Sequence, residues 1–109
     1  MQYSVKITPS AIGQIQETVA YISKVLLSPQ TAIAWSNYLQ KEIAGLDNMP
    51  SKFPLVDKEP WKTNGIHKMD VKNFIVYYWI DEPQQTVWVT AVIYGRRDQI
   101  KRLKEMPLQ

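Results

Sequence analysis

Phe74-Ile75-Val76-Tyr77-Tyr78-Trp79-Ile80 is an unbroken run of β-branched and aromatic residues. A strand with one solvated face would alternate, so an apolar run of this length reads as a central strand covered on both faces. The turn-rich segment Asp81-Glu82-Pro83-Gln84-Gln85 follows and predicts a hairpin connection to a second strand over Thr86–Tyr94. Upstream, Ile66–Val71 supplies a third strand-like run. The end of the chain's apolar part is abrupt. Val87-Trp-Val-Thr-Ala-Val-Ile-Tyr94 stops at Gly95, and Arg96-Arg97-Asp98 comes next. Two adjacent guanidiniums at the mouth of a sheet suit planar, bidentate recognition of phosphate or carboxylate. Taken alone they could equally be a solubilising tail. Lys101, Arg102 and Lys104 shift the weight toward an anionic partner, since Asp98 is the only acid across 94–104.

The first half of the chain has two other periods. Tyr3, Val5 and Ile7 alternate with Ser4, Lys6 and Thr8, the pattern of a half-buried strand. Thr8 or Ser10 can cap the next element, with Pro9 suited to a first helical turn. Ile12, Ile15, Val19, Ile22 and Leu26 then recur at helical spacing and predict one apolar stripe on a helix of about four turns. Ser28-Pro29 repeats the cap-then-proline start, and Ala32, Trp35, Leu39, Ile43 and Leu46 mark the inner face of a second helix. The short link between the helices predicts a hairpin packed on a sheet. Residues 48–64, broken by Pro50, Pro54 and Pro60, read as an ordered loop anchored by Phe53 and Trp61, and Gln99–Glu105 as one or two helical turns. The predicted order is β-α-α-β-β-β: an α+β fold, with a helical hairpin on a mostly antiparallel sheet, in a single domain over 1–109.

At 109 residues and 45% hydrophobic, the chain can bury one core and is too short for two domains. It has no cysteine and one histidine, which excludes disulfides, thiolate chemistry and His-rich metal centres; no cofactor is expected. No apolar run reaches the roughly 18–20 residues of a membrane span, and the start lacks a basic-then-apolar layout, so a cytoplasmic location without membrane contact is expected. The net charge of +3 is unevenly spread. Over residues 1–50, Lys6, Lys24 and Lys41 cancel Glu17, Glu42 and Asp47, so the positive excess lies later in the chain. That asymmetry suits nucleic acid or an acidic protein as partner.

The order of elements, together with Asn48-Met49-Pro50, Gly65-Ile66-His67-Lys68-Met69, Val71-Lys72-Asn73-Phe74-Ile75-Val76-Tyr77-Tyr78 and Val92-Ile93-Tyr94-Gly95-Arg96-Arg97-Asp98, resembles the RelE/ParE superfamily of bacterial type II toxins. The resemblance covers residues 3–103. It implies a RelE-like fold, a cognate antitoxin and a part in plasmid stabilization. RelE-like members cleave messenger RNA on the ribosome, whereas ParE-like members poison DNA gyrase. The first activity makes the 2′-hydroxyl attack the adjacent phosphate, which needs a proton acceptor, a proton donor and cations. On that reading the catalytic candidates are Arg96, Arg97, Lys68 and His67, with the ribosome and mRNA as partners. This chain departs from the RelE pattern in three places. His67 stands where many relatives have arginine, Ile75 follows Phe74 where arginine is common, and no tyrosine follows Gly95. The expected function is inhibition of translation by ribosome-dependent mRNA cleavage, with ParE-like gyrase inhibition, or a degenerate member that only binds its antitoxin, as the alternatives.

Strand alternation sends His67 and Lys68 to opposite faces unless a bulge intervenes, and it lets only one of Arg96 and Arg97 face a cleft. Tyr77, Tyr78 and Trp79 read as core. Trp88 is a candidate to stack on a base or on an antitoxin side chain, and Trp61 is a plug or a contact.

Overall fold

The computed structural model describes residues 2–95 and 97–109. Strand β1 (Ser4–Ile7) leads into helix α1 (Pro9–Ala20), which continues as a π-helical stretch over Tyr21–Val25 before helix α2 (Pro29–Ala44). Strands β2 (His67–Val71), β3 (Phe74–Asp81) and β4 (Thr86–Tyr94) follow, and helix α3 (Gln99–Lys104) ends the regular structure. The sheet has the order β1-β4-β3-β2. β1 runs parallel to β4, and the other pairs are antiparallel. This is the α+β order predicted from the sequence.

The apolar run of β3 owes its continuity to cover on both faces. Phe74, Val76, Tyr78 and Ile80 join the core beneath α1 and α2, where Trp35, Leu39, Ile43 and Leu46 of the second apolar stripe are buried. Ile75, Tyr77 and Trp79 join a second core, closed by Val56 and Trp61 of the long loop and by Ile100 and Leu103 of α3. Leu39 is fully enclosed. Truncation of such a residue to alanine costs about 2–5 kcal/mol.

Two helical expectations need correction. Ile12 and Leu26, placed on the inner stripe of α1 by spacing, are 42% and 56% exposed. Ala11, Ile15, Val19 and Ile22 form the inner face instead. The wider π turn after Ala20 rotates later positions away from the stripe that a uniform helix would continue. Thr8 caps α1 as expected, its hydroxyl accepting from Ala11 N at 3.2 Å. Ser28 precedes α2 but makes no side-chain cap; its hydroxyl donates to Thr31 Oγ1.

Strand β4 contains a bulge. Tyr77 pairs with Ala91 and Tyr78 with Val89, leaving Thr90 without a partner across the ladder. Thr90 Oγ1 donates to the Tyr77 carbonyl at 3.2 Å, and Val92 N donates to Gln14 Oε1 at 2.8 Å. Among the described residues, no helix is long and apolar enough to cross a membrane.

Candidate functional site at the end of the central strands

β4 ends where the tight turn between β2 and β3 returns, and the approach at this crossing is close enough to favour glycine. Gly95 N donates to the Asn73 carbonyl at 2.8 Å, and a Cβ on residue 95 would sit 3.2 Å from that oxygen. The turn is itself strained, with Lys72 at a φ of 56°. Its side chain lies over the Tyr38 ring of α2, the ammonium 4.5 Å from the ring centre. Beside this crossing lies a shallow depression of about 330 Å³ lined by Asp70, Lys72, Asn73, Ile75, Tyr94 and Gly95.

Arg97 follows directly. Its amide donates to the Tyr94 carbonyl at 3.0 Å, and the residue is exposed. Arg96, the other half of the predicted pair, lies outside the described residues. Asp98 turns the chain into α3, its carboxylate accepting from Lys101 N at 3.1 Å.

The two β2 candidates divide between the faces, as alternation predicts. His67 lies against the α1/α2 core, stacked on Tyr78 with ring centres 5.1 Å apart. Its Nδ1 is hydrogen-bonded to the Phe53 carbonyl at 2.8 Å. Lys68 pairs with Tyr77 across the ladder, while its neighbour Met69 faces the α1/α2 core. Lys68 therefore lies on the α3 side. It stands three rungs from the Tyr94 end of the sheet, roughly 10 Å at the rise of a strand. The structure thus sets Arg97 in the exposed turn after β4, Lys68 on the α3 face and His67 on the other side of the sheet.

Both tyrosines at the centre of β3 are held neutral. Burial, aided by the negative charge of Asp70, pushes the Tyr77 phenol up to about 12. Burial also raises that of Tyr78, whose hydroxyl donates to the Pro50 carbonyl. The Tyr77 hydroxyl donates to Gln99 Oε1 at 2.7 Å. Gln99 was not singled out in the sequence, because nothing local joins positions 77 and 99. Trp61 is a plug, buried in the second core. Trp88 is half-buried, with the Lys6 ammonium 5.5 Å from its ring centre. Among the described residues, no cluster of three or more His, Asp or Glu side chains is placed to hold a metal ion.

Residues 5–99 match the family model described as the ParE toxin of the type II toxin–antitoxin system, parDE. The chain belongs to the ParE toxin family. This places it in the RelE/ParE superfamily of type II toxins, as the motifs around His67 and Gly95 implied. Two solved structures share the ParE-like fold. The chromosomal ParDE system from P. aeruginosa superposes with a TM-score of 0.70 at 14% identity, covering 85% of this chain and 96% of that one. The toxin–antitoxin complex RelBE2 from Mycobacterium tuberculosis gives 0.60 at 18% identity, covering 86% and 99%. A search among curated proteins returned no match.

Proposed function

We propose that this ParE-family chain is the toxin of a type II pair, neutralised by a cognate antitoxin, and that it acts by binding DNA gyrase and not by cleaving RNA. The division of the ionisable side chains across the sheet carries this reading. Cleavage through a 2′-hydroxyl needs a proton acceptor and a proton donor within reach of one phosphate. The His67 ring is stacked on Tyr78 and bonded to Phe53, Lys68 lies on the opposite face, and the Tyr77 hydroxyl is engaged and neutral. What the end of β4 offers instead is fixed positive charge, Arg97 with Arg96 beside it in sequence, suited to gripping a carboxylate on a protein surface.

Support for an antitoxin comes from the tip of the helical hairpin. Tyr21, Val25, Leu26, Leu27 and Ile33 are all exposed there, and Lys24 is the only charge between residues 18 and 40. Contiguous exposed apolar surface of this kind marks a protein-binding site, and an amphipathic segment of a partner suits it.

The test has two arms. Purified protein is added to a gyrase supercoiling assay, and messenger RNA ends are sequenced after brief expression. Inhibited supercoiling with intact messages is expected. Cuts at codon positions on translated messages, with gyrase unaffected, overturn the proposal in favour of a ribosome-dependent endoribonuclease using Arg96, Arg97 and Lys68. Absence of growth inhibition leaves an antitoxin-binding protein that is not toxic.

A further inference from the structure

We infer that Gln99 and Tyr77 form a polar clamp that positions the arginine-bearing turn after β4. Gln99 Nε2 donates to the Tyr94 carbonyl at 2.7 Å and to the Arg97 carbonyl at 3.3 Å. These two carbonyls lie on either side of the Gly95-Arg96 step. Gln99 Oε1 accepts the Tyr77 hydroxyl at 2.7 Å. The amide can be oriented in only one way. Carbonyl oxygens cannot donate, so the NH₂ must face Tyr94 and Arg97, and the phenol must then donate to the remaining oxygen. Tyr77 is 3% exposed in the middle of β3, so the anchor of the clamp is packed into the sheet. The turn is thereby tied to the sheet floor through side chains, in addition to its own bond from Arg97 N to the Tyr94 carbonyl.

The fold supplies the other needs of this region without the clamp. α3 has its own cap in Asp98, and Leu103 seats the helix on the second core. Gln99 is thus free to serve geometry. No other residue type does the same at this reach: glutamate lacks the donors, and methionine has neither donors nor a strong acceptor. A group held within a fraction of an ångström is worth far more to recognition than the same group on a loose loop. The functional part of the inference rests on the reading that the arginines after Gly95 meet the target.

Hydrogen exchange and growth inhibition together test it, in the variants Gln99→Met, Gln99→Glu, Tyr77→Phe, Arg96→Ala and Arg97→Ala. In Gln99→Met the Arg97 amide is expected to exchange about tenfold faster, the factor that matches loss of one net hydrogen bond. The amides of β3 keep their protection, which a general loss of structure would not allow. Tyr77→Phe keeps the ring and gives a smaller change in the same direction, while Gln99→Glu behaves like Gln99→Met. Growth inhibition falls in the order of the exchange effect, by up to about a hundredfold where a contact group shifts by an ångström. Unchanged exchange at Arg97 in Gln99→Met overturns the clamp. Faster exchange with undiminished toxicity overturns its functional role, provided that Arg96→Ala or Arg97→Ala is itself less toxic. If both single variants stay fully toxic, the reading of the arginines fails instead, and the exchange data still decide the clamp.

Discussion

The tip of the helical hairpin and the open end of the sheet are built on contrary principles. At the tip, Tyr21, Val25, Leu26 and Leu27 expose apolar surface, and Leu27 holds a φ of 52° while 82% exposed. At the sheet end, Asp70 and Lys72 line a depression beside Gly95, and Tyr94, Arg97, Gln99 and Tyr77 are joined by hydrogen bonds. Apolar contact is tolerant of exact placement, whereas a guanidinium acts only where its fork is aimed. On the proposed function, the contrast suits the tip to bulk association and the sheet end to aimed contact.

The largest perturbation removes both ends at once, since both hang on β3. Val76→Asp would place an unpaired carboxylate at a fully enclosed position. The expected cost is about 3–5 kcal/mol, read as loss of the cooperative thermal transition. A variant with normal melting would show that the two ends do not share this support.

Gly95→Val acts on the sheet end alone. Its Cβ meets the Asn73 carbonyl, so the turn must shift, at about 1–3 kcal/mol in denaturant titration. Toxicity should fall with antitoxin affinity preserved. Equal losses of both would erase the division between the ends.

Leu27→Gly sharpens the contrast from the other side. Glycine relieves the left-handed backbone, so stability should rise by about 0.5–1 kcal/mol. Antitoxin affinity should drop about tenfold, as for a buried interface anchor. Undiminished antitoxin affinity would remove the tip from the interface.

The smallest effect is read only at alkaline pH. The Tyr77 phenol is raised from 10.0 to about 12 in the folded chain, so folding favours its neutral form. That stabilisation is complete below pH 10 and is lost as pH rises toward 12. Ultraviolet absorbance of tyrosinate, followed with unfolding, should show a late alkaline step that Tyr77→Phe weakens. An ordinary phenol titration at Tyr77 would mean that the sheet floor is wetter than its burial indicates.

The legibility of the sequence follows the same contrast. Period and continuity revealed β3, β4 and the inner face of α2, because backbone geometry repeats and the core demands apolar side chains at each repeat. Leu26 leaves the stripe because spacing alone assumes a uniform helix, and the π turn breaks that assumption; Ile12 lies before that turn, and Ala11 takes the inner position beside it. The stop at Gly95 was visible, but its cause, the Asn73 carbonyl, lies 22 residues away. The split of His67 from Lys68 followed from strand alternation alone. The clamp from Gln99 to Tyr77 had no local signature, since hydrogen bonds between distant side chains leave no period.

Thr90 has one more consequence. Before it, the odd residues Val87 and Val89 point to the helices; after it, the even residues Val92 and Tyr94 take over that side, Tyr94 packing against Phe74. The strand is spliced from two stretches in opposite phase. Deleting Thr90 would restore strict alternation and leave both faces as they are, with Val92 and Tyr94 still toward the helices and Ile93 still toward α3. A single deletion elsewhere in β4 would exchange inside for outside over the rungs beyond it. Length changes in β4 should therefore be tolerated singly only at the bulge, and elsewhere only in pairs.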